Sequence, residues 1–221
     1  MLKKKLTNLL LGISMLVSAN SLASLKEFDT TYVLSIPSFP EVEISHTLKN
    51  KENTNNWEIV LKGDAFFNQF SILEKTSIYY TNDVFVPTFY SSVYKAPFNT
   101  SKHVLTSDNL SQHIDRQSLF IQLSTLISNK ECLNEECSIT YFDHKSKKRT
   151  IDFIIEQQDE LSYDDKNIPL NVIKGKQDDK DILIALHPEY AGMLLFMNID
   201  QEYQLLNTKV NNFDIKSIID N

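Results

Sequence analysis

The sequence predicts a mainly β fold: one curved antiparallel sheet or barrel-like domain, with a single amphipathic helix packed on or in it. Three observations carry this. Apolar residues recur at every second position in run after run, which is the period of a half-buried strand. Clusters of Pro, Asn, Asp and Ser separate the runs and supply turn chemistry. One stretch alone shows a 3.6-residue period, and a lone apolar helix needs a sheet to lie against.

The first segment reads as an address. Lys3, Lys4 and Lys5 precede an apolar run from Leu6 to Ala19, which is too short to span a bilayer. Ser21-Leu22-Ala23 has the small-x-small form of a cleavage site, so residues 1–23 are expected to be a signal peptide cut between Ala23 and Ser24. No cysteine follows the apolar run, so a lipid anchor is not expected there. Residues 24–221 form one expected domain in the periplasm. Losing the leader removes three lysines and no acid, and leaves 19 basic against 29 acidic side chains. Such a body repels phosphate backbones, so nucleic acid is excluded as a partner. The same charge disfavours electrostatic docking on anionic lipid heads, although other peripheral membrane contact stays open.

The strands follow in order. Phe28 to Ile36 alternates until Pro37, and Val42, Ile44, His46 and Leu48 alternate next. Beyond the polar loop Lys49–Asn56, the residues Trp57, Ile59 and Leu61 repeat the pattern. Phe66, Phe70 and Ile72 lead into Ile78 and Tyr80, and Thr81-Asn82-Asp83 reads as a hairpin turn. Val84 to Tyr94 is strongly aromatic, and Pro87 marks it as an edge or a bulged strand. His103 to Thr106 makes a short strand before the helix.

The helix is expected over 115–128. Leu119, Phe120, Leu123, Leu126 and Ile127 form one apolar face; Asp115 stands at the N-cap and Asn129 can close the far end. Strands resume at Ser138–Phe142 and Thr150–Ile155, around a basic hairpin tip from His144 to Arg149. Ile168–Ile173, Asp181–Leu186, Leu194–Ile199 and Glu202–Thr208 continue the sheet, and Val210–Ile215 is expected to close it.

Cys132 and Cys137 are the only cysteines. In an exported chain a close, even pair is most simply a disulfide. A zinc site would need two further ligands near by, and His144 is the only close candidate, so no metal is expected. Glycine is nearly absent after the leader, with Gly63, Gly175 and Gly192 alone, so no Gly-rich phosphate loop exists. The sequence holds no G-x-S-x-G elbow and no H-E-x-x-H. No catalytic residue and no cofactor is expected. The acids Asp159-Glu160, Asp164-Asp165 and Asp178-Asp179 lack calcium-loop spacing and read as solvated loops.

The aromatic belt from Tyr79 to Phe98 is the most suggestive surface. Its rings either line a pocket for an apolar ligand or form the core under the helix. In the pocket reading Tyr80, Phe89 and Tyr94 form the wall, and Leu119, Phe120 and Leu123 present the helix as a lid.

Three blocks together resemble DUF3108, a family of exported bacterial proteins of unknown function. They are Thr31–Ile36 with Glu41–Leu48; Val86-Pro87-Thr88-Phe89-Tyr90 running on to Asp115-Arg116-Gln117-Ser118-Leu119 and Leu123; and Leu186-His187-Pro188-Glu189 through Leu195, with Glu202–Lys209 after it. The first hairpin departs from the pattern by lacking glycine. The resemblance implies a signal peptide and a large sheet or barrel with little helix, and carries no catalytic residue. The function expected is a periplasmic binding or interaction protein for an apolar or lipid component of the envelope. The alternatives are an assembly partner that binds another envelope protein without a small ligand, and an envelope hydrolase.

Overall fold

The computed structural model describes residues 25–38, 40–65, 69–163, 166–200 and 203–207. The leader with its Ala23–Ser24 junction, Phe66, and the strand expected over Val210–Ile215 lie outside the described residues. The protein is mainly β. In chain order the strands of the first half are β1 (Phe28–Ser35), β2 (Val42–Asn50), β3 (Asn56–Ala65), β4 (Phe70–Thr81), β5 (Val84–Ala96) and β6 (Asn99–Thr106). A single turn, α1 (Ser107–Leu110), a two-residue strand, β7 (Ile114–Asp115), and the helix α2 (Arg116–Asn129) follow. The second half holds β8 (Cys137–Phe142), β9 (Lys148–Tyr163), β10 (Lys166–Gln177), β11 (Lys180–Leu186), β12 (Leu194–Ile199) and β13 (Tyr203–Asn207).

These strands form one sheet in the order β6-β5-β4-β3-β2-β1-β13-β12-β11-β10-β9-β8-β7. It consists of two antiparallel meanders joined where β1 pairs β13, with Tyr32 opposite Asn207. Only β7, parallel to β8, breaks the antiparallel rule. The end strands β6 and β7 do not pair, so the sheet is rolled but not closed. Side chains complete the roll. Thr76 Oγ1 of β4 donates to Asp115 Oδ1 at 2.8 Å, and Ser92 Oγ of β5 donates to the His144 carbonyl at 2.5 Å.

Turn chemistry compensates for the shortage of glycine. Asn82-Asp83 and Asp178-Asp179 each close a two-residue hairpin with positive φ at both positions, a geometry that Asn and Asp tolerate. Asp178-Asp179 is therefore a tight turn, and Asp159 and Glu160 belong to β9 rather than to the acidic loop expected there. Pro87 does not mark an edge, since β5 lies between β4 and β6. It sits at a bulge: the register steps from Ser77↔Phe89 to Ile78↔Pro87 and leaves Thr88 as the extra residue.

The helix lies inside the roll. Asp115 caps it, accepting from the Gln117 and Ser118 amides at 2.9 and 3.2 Å. Its far end differs from the expectation: Asn129 is the last helical residue, and Lys130 takes the left-handed position after it. The burial is also broader than one apolar face. No residue of α2 is exposed. Leu119, Phe120, Leu123 and Leu126 join Tyr32, Ile44, Leu61, Ile151 and Ile184 in one core cluster. From another side Ile121 packs with Leu48, Trp57, Ile59, Ile78 and Met193. Polar positions off that apolar face are buried with partners: Ser118 Oγ donates to Asp115, and Ser124 Oγ donates to the Phe120 carbonyl and accepts from the Gly192 amide. Gly192 has a φ of +82°, and a Cβ there would lie 2.9 Å from Ile121 Cγ1, so both backbone conformation and space require glycine.

Candidate functional site

The first turn of α2 places three consecutive polar residues against the inner face of the sheet. Asp115 is sealed and accepts from Thr76, Ser118 Oγ and two amides; burial nevertheless raises its pKa. Arg116 is paired with Glu74 of β4, which is fully buried. Gln117 Nε2 donates to the other oxygen of Glu74 at 2.9 Å, and the Tyr94 hydroxyl donates to Glu74 Oε1 at 2.8 Å. Glu74 faces inward because β4 alternates Ile72, Glu74, Thr76, Ile78 on that face. Burial works against the charge on Arg116, but Glu74 more than offsets this and raises its pKa.

A second polar chain adjoins the first. The Leu194 amide donates to the Tyr32 hydroxyl at 3.2 Å, and Tyr32 bonds His46 Nδ1 at 2.9 Å. Burial lowers the His46 pKa to about 4, so the ring is neutral at pH 7.

Below this polar turn lies a cavity of about 450 Å³, within the size range of small-molecule sites. Its wall is largely aliphatic: Leu34, Ile44, Leu61 and Ile72 from the first meander, and Ile182, Ile184, Leu194 and Leu205 from the second, with Leu119 and Phe120 of the helix. Its polar lining includes Tyr94, Arg116, Gln117, Tyr141, His144 and Gln177. A second hollow of about 460 Å³ shares Leu34, Ile44, Ile72, Tyr94 and His144 with the first and extends it towards Phe70, Lys95 and Lys145. The β8–β9 turn forms part of this wall. Asp143 organises it by accepting from the Lys145 and Lys147 amides and from Arg149 Nε. His144 packs against Tyr94 with the rings tilted by 45° and 4.7 Å between centres, and its pKa is lowered, first by burial and then by Arg116.

The structure brings together three of the residues expected at a pocket: Tyr94, Leu119 and Phe120 line the cavity. Leu123 is fully buried in the adjoining core rather than in the lining. Tyr80 and Phe89 are corrections. Tyr80 faces inward but at the far end of β4, edge-on to Trp57 at 6.4 Å, with its hydroxyl on Asp83. Phe89 is 39% exposed on the outer face. Without the bulge, alternation from Phe85 and Pro87 would carry it inward. The extra residue Thr88 reverses the phase and puts Tyr90, Ser92 and Tyr94 inside instead. The helix is likewise no surface lid, since the sheet surrounds it. Reasoning from sequence missed Glu74, Arg116, Tyr141 and Gln177. A usable signal existed for Glu74, a carboxylate on the apolar face of a strand.

A disulfide joins Cys132 and Cys137. Their loop is tied to β9 by Ile155 N–H donating to the Cys132 carbonyl and Asn134 N–H donating to the Ile155 carbonyl. Among the described residues no three His, Cys, Asp or Glu side chains are grouped to hold a metal ion, and no helix is long and apolar enough to cross a membrane.

No family model and no curated protein matches the chain. Among solved structures, a β-barrel-like protein of the domain of unknown function DUF1849 from Brucella abortus aligns with it. The alignment covers 86% of this chain and 99% of the other, at 13% identity and a TM-score of 0.44.

Proposed function

We propose that this is an exported periplasmic protein that binds an apolar or lipid-like molecule inside its rolled sheet. The observation that carries the reading is a partly open cavity of about 450 Å³ with a mainly aliphatic wall, continued by a second hollow. A cavity of this size and lining suits a small apolar guest. The disulfide supports an oxidising compartment. Native mass spectrometry of protein isolated from the periplasm tests both parts. The expected result is a chain that begins at Ser24 and carries a bound lipid released by organic solvent. A chain retaining residues 1–23 in the cytoplasm sinks the export, and a mature chain that neither carries lipid nor takes up a neutral apolar dye sinks the binding.

A second reading, an assembly partner for another envelope protein, is favoured by one feature. Among the described residues strand β6 has one edge unpaired, and Val86, Phe89, Val104 and Phe98 expose apolar surface on or beside it. Crosslinking in cells followed by capture separates the two, because this reading requires a partner that is lost on Phe89→Ser while dye uptake is kept.

A further inference from the structure

We infer that the cavity takes a single-chain amphiphile with an anionic head, carboxylate or phosphate, seated on Arg116 and Gln177. This rests on the binding reading above and goes beyond it by naming the head group.

Around the polar end the carboxylates are already engaged, while Gln117 Oε1 has no partner among the described residues. Glu74 receives Arg116, Gln117 and Tyr94, and its side chain has no exposed surface. Asp143 receives two amides and Arg149. The Gln177 carbonyl receives the Tyr141 hydroxyl at 2.7 Å. The donors are in surplus. A guanidinium carries five N–H groups; Arg116 directs one at Glu74 and also meets the Tyr94 hydroxyl, which leaves part of the fork for the cavity it lines. The pair is lopsided: the Glu74 side chain is 0% exposed, while Arg116 keeps 28% of its side chain open and lines the cavity. The Gln177 amide N–H groups meet no acceptor among the described residues, and this residue lines the same cavity. A planar fork of N–H groups open to the cavity matches a carboxylate or phosphate. Lys95 and Lys145 add exposed positive charge where the second hollow reaches the surface. The aliphatic wall sets the other half of the ligand: an alkyl chain.

Displacement of the neutral dye N-phenyl-1-naphthylamine from the delipidated mature chain, with its disulfide intact, tests the inference. The competitors are dodecanol, dodecanoate, dodecyl phosphate and dodecyltrimethylammonium, with acetate and inorganic phosphate alone as small anions. Dodecanoate or dodecyl phosphate should displace the dye at roughly tenfold to a hundredfold lower concentration than dodecanol, the effect of a charge-assisted hydrogen bond. Whichever of the two is stronger identifies the head. The cation should be weakest, and the small anions should do nothing. In Arg116→Gln the advantage over dodecanol should fall to within about threefold. Because that variant leaves Glu74 buried without its partner, the double variant Glu74→Gln/Arg116→Gln is the companion, and it should lose the same advantage. Equal potency of alcohol and anion in the wild type, a preference that survives in both variants, or displacement by phosphate alone would each overturn the inference. Those results leave the cavity reading standing. Failure of the dye itself to bind removes that reading, and this one with it.

Discussion

Replacement of Ile121 by alanine separates a helix inside a roll from a helix lying on a sheet. Helical positions advance by about 100° each, so Ile121 stands some 200° from both Leu119 and Leu123. On a flat sheet the apolar stripe of Leu119, Leu123 and Leu126 would face down and Ile121 would face water. An exposed substitution of that kind stays within about 0.5 kcal/mol. In this structure Ile121 is 2% exposed among Trp57, Ile59 and Ile78, with Gly192 against it. Ile→Ala removes three carbons, or about 2.4 kcal/mol of transfer free energy at ~0.8 kcal/mol each, and the cavity left behind brings the total to about 3–4 kcal/mol. With a urea slope of about 2 kcal/mol/M the midpoint should fall by roughly 1.5–2 M. Trp57 is the sole tryptophan and sits in the same cluster, so its fluorescence reports the transition directly. Leu123→Ala, from the opposite side, should cost a similar amount. A midpoint for Ile121→Ala within about 0.3 M of wild type, beside a large loss for Leu123→Ala, would refute the enclosed helix.

Three further outcomes follow from the same packing. Asp115→Ala should destabilise by about 3–5 kcal/mol, since it removes an N-cap and leaves the buried Thr76 and Ser118 hydroxyls without their acceptor, whereas Asp115→Asn should lose less than half of that; equal midpoints for the two in urea would contradict it. The His46 pKa is lowered by burial from 6.5 to about 4, so the unfolded chain takes up a proton in that window that the folded chain refuses. Its contribution is whole above pH 6.5 and shrinks as pH falls to 4, by about 3 kcal/mol in all; the decline should be smaller in His46→Gln, and identical pH profiles of the urea midpoint would discount it. Reducing the Cys132–Cys137 bond should cost about 2 kcal/mol, the loop-closure value for so short a ring, read as a fall in melting temperature with dithiothreitol that is absent in a Cys132→Ser/Cys137→Ser variant.

Much of the sheet was legible because period two reports one buried face. Thr30, Tyr32 and Leu34, or Trp57, Ile59 and Leu61, could be assigned from spacing alone. The helix N-terminus was legible for a local reason, namely Asp115 before an apolar run. What failed was non-local. The Thr88 bulge reverses the face of every residue beyond it, and nothing in Val86-Pro87-Thr88-Phe89 states which residue is extra; the choice is made by pairing with Ser77 and Ile78. The helix read as one-faced because Gln117, Ser118 and Ser124 are polar, and their burial depends on partners 43 residues away on β4 or 68 residues away at Gly192. The site failed for the same reason. Glu74, Arg116 and Gln177 come from three separate elements, and only the roll of the sheet sets Arg116 and Gln177 around one cavity with Glu74 behind Arg116.

The buried polar turn explains how a helix surrounded by apolar side chains keeps one position. Apolar contact is non-directional, so a rod packed by Leu and Ile alone could rotate or slide with little penalty. Asp115, Arg116 and Gln117 remove that freedom: the first bonds Thr76, and the other two grip opposite oxygens of Glu74. A slide of one helical turn, about 5.4 Å, would break all of these bonds together and strand Glu74 in a low-dielectric interior. A buried ion pair contributes little net stability, because desolvation offsets attraction. Its value here is positional, and it is spent next to the cavity. The bonds that hold the helix in register also leave Arg116 and Gln117 lining the hollow, while Asp115 stays sealed behind them.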